Sequence, residues 1–340
     1  MEYRNLGQSG LKVSPLCLGT MLFGGLTSDK EAARIVDSLR ETGINFIDTA
    51  DSYMNGESER VVGPLIKRDR EEWVLATKAG NKLGPGIHEG SLSRKWLMYA
   101  IDCSLERLDT DYVDIYYLHH DDKSTPLDET VVAMGDIVAE GKARYWGFSN
   151  YRGWQIAEMV RLCDELGVVR PIIAQPYYNA FKRTPEMEYL PACAHYGIGV
   201  APYSPLARGV LTGKYQPGKA PPKESRAGRK DAIIMATEYD EESLIKAQTI
   251  KAHAEKRGMT AGEFAILWVL NNELVTSVIA GARTFEQWQG YLSALDHEFT
   301  TDDEALVDSL VAPGFQSPAG YVPASHPFRG RRPRPGAACT

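Results

Sequence analysis

The stretch ARYWGFSNYRGWQIAEMVRLCDELGVVRPIIAQPYYN, residues 143–179, holds the repeating unit of the chain. It opens on a short apolar run, ARYWGFSN (143–150), and closes on another, PIIAQPYYN (171–179). Between them Ile156, Met159, Val160 and Cys163 recur at helical spacing, and Gly167 follows where a left-handed cap is cheap. Strand, helix and strand in this order make a right-handed crossover between parallel strands.

Outward from this unit the alternation repeats. The other apolar runs are VSPLCLG (13–19), INFIDTA (44–50), WVLATK (73–78), YVDIYYLH (112–119), IGVAPYSPL (198–206) and TSVIAGA (276–282). Each has strand length and little polar alternation, as parallel strands covered on both faces require. Ala32, Ile35, Val36 and Leu39 form a second helical stripe, and Leu97, Ile101, Leu105 and Leu108 a third. Ser28 with Glu31 and Thr260 with Glu263 fit capping boxes; Gly43, Gly141, Gly197 and Gly258 fit helix stops. Eight such strands suit a closed α/β barrel. No GxGxxG follows any of them, and GPGIHEG (84–90) has the wrong spacing for a doubly wound nucleotide-binding sheet. We therefore expect one (β/α)8 TIM-barrel domain over residues 1–340.

Two segments break the rhythm. Residues 207–240 are rich in Pro, Gly, Lys and Arg and read as a lid or a binding loop, or else as a disordered segment. Residues 312–340 form a Pro/Gly/Arg-rich tail with Arg329, Arg331, Arg332 and Arg334, expected to be mobile or loosely docked. Composition narrows function further. Asp plus Glu total 45 against 38 for Lys plus Arg, a net charge of −7, so neither nucleic acid nor an anionic membrane is an expected partner. Five cysteines without paired spacing read as reduced thiols, and no run approaches the roughly 18 apolar residues of a membrane span. The cytoplasm is the expected compartment.

In a barrel the chemistry lies at the carboxyl ends of the strands. Those ends carry Gly19, Thr20 and Met21, then Asp48, Lys78, His119, Ser149 and Asn150, Gln175, Tyr203 and Ser204, and finally Gly281, Ala282 and Arg283. Tyr53 follows Asp48 in the same loop. An acid, a phenol, an amine and an imidazole at one mouth make a proton-donating unit. A free phenol is a poor acid at neutral pH, and a nearby ammonium favours its phenolate. The ammonium in turn needs a carboxylate partner, and a neutral imidazole can orient a carbonyl. The set offers no nucleophile–base pair and no P-loop. His119-His120-Asp121-Asp122 does not read as a metal site, because consecutive side chains on an extended segment point apart.

The strings YRNLGQSGLKVSPLCLGTMLFG, INFIDTADSY, ATK, YVDIYYLH, GKARYWGFSN, APYSPLARGVLTGKY and VIAGARTFEQ resemble those of aldo-keto reductases, in the family's order, from about Tyr3 to Leu310. The pattern is nearest to the bacterial and potassium-channel β-subunit-like branch. The resemblance implies a barrel opened by an N-terminal β-hairpin and a long cofactor-covering loop, without a Rossmann domain. It implies NADP(H), with NAD also used in the family, and reduction of a small-molecule carbonyl substrate. Asp48, Tyr53, Lys78 and His119 match the family's catalytic tetrad, with Tyr53 as general acid and Lys78 lowering its pKa. Ser149, Asn150 and Gln175 match the nicotinamide carboxamide site, and Tyr203 matches the aromatic stacked on the ring. Gly19, Thr20 and Met21 would flank the cofactor. Ser204, Leu206 and Gly209, with Lys214 and Arg226, match the pyrophosphate cover. Gly281, Ala282, Arg283 and Gln287 match the adenosine end, with Arg283 placed for a 2′-phosphate. Met21, Phe23, Met54 and Trp146 are the expected substrate walls. Two positions depart from the pattern: Tyr291 stands where an adenine-contacting asparagine is usual, and His120 lies beside the expected histidine. Both monomers and homo-oligomers occur in the family. Channel β subunits of the same fold typically carry asparagine at the position of His119, which favours an enzyme; a regulatory cofactor-binding subunit is the alternative.

Overall fold

The structure, a computed structural model, describes residues 1–319. Two short antiparallel strands open the chain, β1 (Arg4–Asn5) and β2 (Lys12–Val13). The eight parallel strands that follow are β3 (Leu16–Gly19), β4 (Phe46–Asp48), β5 (Val74–Ala79), β6 (Val113–Leu118), β7 (Ala143–Ser149), β8 (Ile173–Gln175), β9 (Gly199–Val200) and β10 (Val278–Ala280). Each pairs with its successor from β3 to β9, and β10 pairs with β3. The remaining seam is joined by backbone bonds, Thr276 N to Val200 O at 2.8 Å and Ile279 N to Pro202 O at 2.9 Å. The sheet thus curls into a (β/α)8 barrel, and all eight apolar runs supply a strand.

Helices α1 (Asp29–Thr42), α2 (Glu57–Ile66), α3 (Arg94–Leu108), α4 (Leu127–Ala139), α5 (Gly153–Leu166) and α6 (Tyr189–Tyr196) form the crossovers up to β9. Beyond it come α7 (Ala232–Ala236), α8 (Glu241–Lys256), α9 (Ala261–Leu270), then α10 (Phe285–Leu292) and α11 (Thr301–Leu310). Three of the four residues in the α3 stripe, and all four in those of α1 and α5, are buried; Leu105 is half-buried. Gly43, Gly141, Gly167, Gly197 and Gly258 all have φ between +68° and +76°, the left-handed stop their positions anticipate. The Thr260–Glu263 box closes in both directions, whereas Ser28 only accepts from Glu31 N. The Glu31 carboxylate instead takes the backbone N–H of Phe285, 2.7 Å away, tying α1 to α10.

The pleat places alternate residues inside the barrel. Cys17, Phe46, Val74, Ala76, Ile115, Tyr117, Ile173 and Ile279 form one buried apolar cluster with Leu6 and Val13, so the hairpin plugs the amino-terminal end. Gly7 fits there because a Cβ would lie 2.5 Å from Gly197 O, and its φ is +58°. Carrying the period of two toward the carboxyl ends brings Asp48, Lys78, His119, Ser149 and Gln175 inward above this apolar floor.

The long loop is ordered. Tyr215 is buried in it, and Gln248 of α8 donates to the carbonyls of Gly213 and Tyr215 at 3.0 and 2.8 Å. The first residues of the tail are not loose: Arg183 N donates to Phe315 O and Ser317 N to Phe181 O, at 2.9 and 2.8 Å. Here backbone pairing overrides the Pro/Gly composition. Arg329, Arg331, Arg332 and Arg334 lie outside the described residues. Four free thiols are described; Cys17, Cys163 and Cys193 are buried and Cys103 is half-buried. Among the described residues no helix is long and apolar enough to cross a membrane, and no cluster of metal-ligating side chains occurs.

Candidate active site

Lys78 is the hub of the barrel mouth. It is fully buried, and its Nζ donates to Asp48 Oδ2 at 2.6 Å, to Thr49 O at 2.7 Å and to Tyr53 Oη at 3.0 Å. Gln175 Nε2 holds the other Asp48 oxygen at 2.8 Å. An ammonium has three protons to give, and here each has an acceptor. Burial alone would lower the Lys78 pKa, but Asp48 and Tyr53 outweigh it and keep the cation. Tyr53 differs from the sequence expectation. Lys78 does pull its pKa down, but burial pushes harder, so the phenol is held above its ordinary value. The His119 ring stands edge-on to Tyr53, 6.0 Å between centroids, and closes the fourth side. The structure therefore brings Asp48, Tyr53, Lys78 and His119 to one point.

A second chain of contacts runs along the rim. Ser149 Oγ donates to Gln175 O at 2.7 Å, and Asn150 Nδ2 reaches Ser149 Oγ at 2.8 Å and His119 O at 3.0 Å. Tyr203 Oη donates to Asn150 Oδ1 at 2.9 Å, and the Tyr203 ring stacks on Tyr177, centroids 5.2 Å apart. Asn150 adopts φ +63°, a strained choice for a side-chain-bearing residue. The strain continues after β9 at Ser204, Ala207 and Arg208, with φ of +57°, +45° and +56°. Gly209 follows, where a Cβ would come within 2.8 Å of Lys214 Nζ.

Lys214 stands in a field of cations. Desolvation first, then Arg283, Arg229 and Arg226, lower its pKa. Arg226 has a carboxylate, Asp231 at 3.0 Å, whereas Arg283 and Arg229 reach the Glu224 carbonyl. Gln287 Oε1 accepts from Arg283 N at 2.9 Å, so that glutamine shapes the turn carrying the guanidinium. Ala282 is buried beneath it, Gly281 is exposed, and Leu206 is half-buried.

Several placements differ from expectation. Thr20 is buried beside Gly19, its hydroxyl taken by Asp48 O at 3.0 Å and Ser58 Oγ at 2.8 Å, so it braces the loop and does not face the mouth. Trp146 and Phe23 are fully buried and wall no cleft; the Trp146 indole donates to Val169 O at 2.7 Å, toward the helical layer. The pleat explains this, since Trp146 alternates with the inward Gly147. Met21, after β3, and Met54, after Tyr53, are 41% and 40% exposed. Sequence reading missed Asn81, which touches His119, and the buried carboxyls Asp51 and Glu59, the second of them paired with half-buried Arg107. Asn81 lies three residues past Lys78, so a wider reading of the β5 end would have included it.

The chain is 42% identical over 302 residues to a probable voltage-gated potassium channel subunit beta from Arabidopsis thaliana, covering 87% of this chain and 92% of that protein. It is 39% identical over 302 residues to a probable voltage-gated potassium channel subunit beta from Oryza sativa subsp. japonica, with the same coverage. The family model of the aldo/keto reductases matches residues 15–312, which span the barrel and the mouth residues just described. The chain belongs to the aldo/keto reductase family, a family of oxidoreductases that generally use NAD(P)H.

Proposed function

We propose that this protein is an NADPH-dependent reductase of aldehydes or ketones, with Tyr53 as its general acid. The observation that carries the reading is the contact chain Asp48–Lys78–Tyr53 opening beside His119. Burial keeps the Tyr53 proton in place until an oxyanion develops beside it, and Lys78 at 3.0 Å stabilises the phenolate left behind. His119 orients the carbonyl oxygen. NADPH, when bound, supplies the hydride.

The donor set fits that cofactor. Ser149, Asn150 and Gln175 would hold its carboxamide, and Tyr203 would lie on the nicotinamide ring. Ser204, Leu206 and Gly209 would cover the pyrophosphate. Lys214, Arg226 and Arg283 would meet phosphate, because a cluster of like charges favours a polyanion at the same point. Gly281, Ala282 and Gln287 would border the adenosine. Replacing Tyr53 with Phe should lower kcat by about 10²–10⁴-fold while NADPH binding stays intact. Turnover that survives the change would remove Tyr53 from proton transfer.

The names of the relatives favour a second reading, a regulatory subunit that binds cofactor with little turnover. A panel of aldehydes and ketones followed by NADPH absorbance separates the two. Tight NADPH binding with no turnover on any carbonyl would favour the subunit.

A further inference from the structure

The amide of Asn81, on the loop after β5, joins both histidines at the end of β6. Its Nδ2 lies 2.9 Å from His119 Nδ1 and 3.0 Å from Ser52 Oγ, and its Oδ1 lies 3.0 Å from His120 Nε2. His120 Nδ1 lies 3.1 Å from the carbonyl oxygen of Asp121. That carbonyl can only accept, so His120 Nδ1 carries hydrogen.

The amide then has two consistent settings. In the first, its NH₂ donates to a lone pair on His119 Nδ1, which in a neutral imidazole leaves the proton on Nε2. Its oxygen faces His120 Nε2, which must donate, so His120 carries two protons. When His120 gives up the Nε2 proton, that oxygen meets a lone pair. A half-turn of the amide restores both bonds, offering NH₂ to His120 and oxygen to His119. The oxygen then requires the His119 proton on Nδ1, and Nε2 can no longer donate.

We propose that Asn81 is a positioning residue that couples His120 to His119, so that a protonated His120 holds His119 with its N–H on Nε2. The coupling stands on the contacts alone. Its use, presenting a donor to a carbonyl oxygen in the reductive direction, rests on the role assigned to His119 above. Other titratable or charged groups lie close by: Tyr53 edge-on to His119 with Lys78 beyond it, Asp121 and Asp122 on the His120 loop, and Tyr151 after β7, which feels both carboxylates and precedes Arg152 in the chain. The test therefore observes the two imidazoles directly.

The full chain, labelled with ¹⁵N-histidine, is titrated by two-bond ¹⁵N–¹H correlation, with His119→Gln and His120→Gln variants assigning the signals. His119 should change from the Nε2–H to the Nδ1–H form with the same midpoint at which His120 loses its second proton. In Asn81→Asp, whose carboxylate only accepts, His119 should stay Nδ1–H throughout. The same variant should lower kcat for NADPH-dependent reduction of 4-nitrobenzaldehyde by about 10²–10³-fold, the cost of losing one donor to a developing oxyanion, with NADPH affinity unchanged. A His119 tautomer that ignores the His120 titration overturns the proposal, and the wild-type titration decides this even if the variant does not fold. Should the tautomer follow His120 while the wild type reduces no carbonyl, the coupling stands and the reductase reading fails.

Discussion

At the Tyr53 end of the mouth, the central charges meet their opposites: Lys78 lies on Asp48 at 2.6 Å, and Asp48 also takes Gln175. At the other end Lys214, Arg226, Arg229 and Arg283 crowd together, and among them only Arg226 has a carboxylate partner among the described residues. The first end is preorganised: its dipoles are fixed before any ligand arrives, as stabilising a developing charge requires. The second end is electrostatically unbalanced, which costs the folded protein something that an anionic ligand would relieve. The two groups are thus built on opposite electrical plans, and the proposed function assigns proton transfer to the first and cofactor capture to the second.

The largest effect should come from breaking the balanced end. Lys78→Met leaves Asp48 buried beside an apolar chain, and removing one partner of a buried pair costs about 3–5 kcal/mol. Denaturant unfolding should show a loss of that order, with carbonyl reduction abolished. A variant as stable as the wild type would mean that Gln175 and solvent alone satisfy Asp48.

At the unbalanced end the stability cost of removing a charge should nearly vanish. Arg283→Leu removes one of several like charges, so the unliganded protein should lose little stability. Its NADPH affinity should fall by about 1.5–3 kcal/mol, the range for a charge-assisted hydrogen bond, and NADH affinity should barely move. Thermal protection by each cofactor measures this. Equal losses for both cofactors would move Arg283 away from the 2′-phosphate.

Asp51 is the exception within the balanced end. It is buried two residues from Tyr53, one carboxylate oxygen has no partner, and its pKa is pushed up to about 8 by burial and then by Glu59. An unfolded aspartate loses its proton near pH 4, whereas the folded one keeps it to about 8. The native state therefore binds more protons across that window, and stability falls as pH rises through it. Asp51→Asn lacks the titration, so its melting temperature should gain on the wild type steadily from pH 5 to 8. A gap that is flat with pH would show that Asp51 is ionised in the fold.

The same contrast separates what the sequence discloses from what it hides. Strand ends are legible because period and apolar runs locate them, and so Asp48, Lys78, His119 and Gln175 could be named in advance. The alternation that turns Trp146 outward was equally present but unused, since both faces of β7 are apolar. Asn81 and the Glu59–Arg107 pair at 2.6 Å were hidden for a different reason. They depend on which loops touch across the mouth, which no local pattern encodes. The docked start of the tail is likewise a tertiary fact, backbone bonds to residues 181–183 that Pro and Gly content argues against.

The smallest effect tests whether the unbalanced end is held from outside. Glu31 of α1 accepts from Phe285 N at 2.7 Å and pairs with Arg34 at 2.8 Å. The Phe285 N–H and then Arg34 hold its carboxylate below the ordinary range. Phe285 begins α10, Thr284 caps it, and Arg283 precedes the cap. A carboxylate at a helix N-terminus steadies that turn and so aims the guanidinium without touching a ligand. Because Glu31 is only half-buried and its partner Arg34 is exposed, Glu31→Ala should weaken NADPH binding only by about two- to fivefold. The rate at saturating cofactor should not change, because the Tyr53 end shares no contact with Glu31. A drop in kcat instead would tie the two ends of the cleft together mechanically and undo the separation argued above.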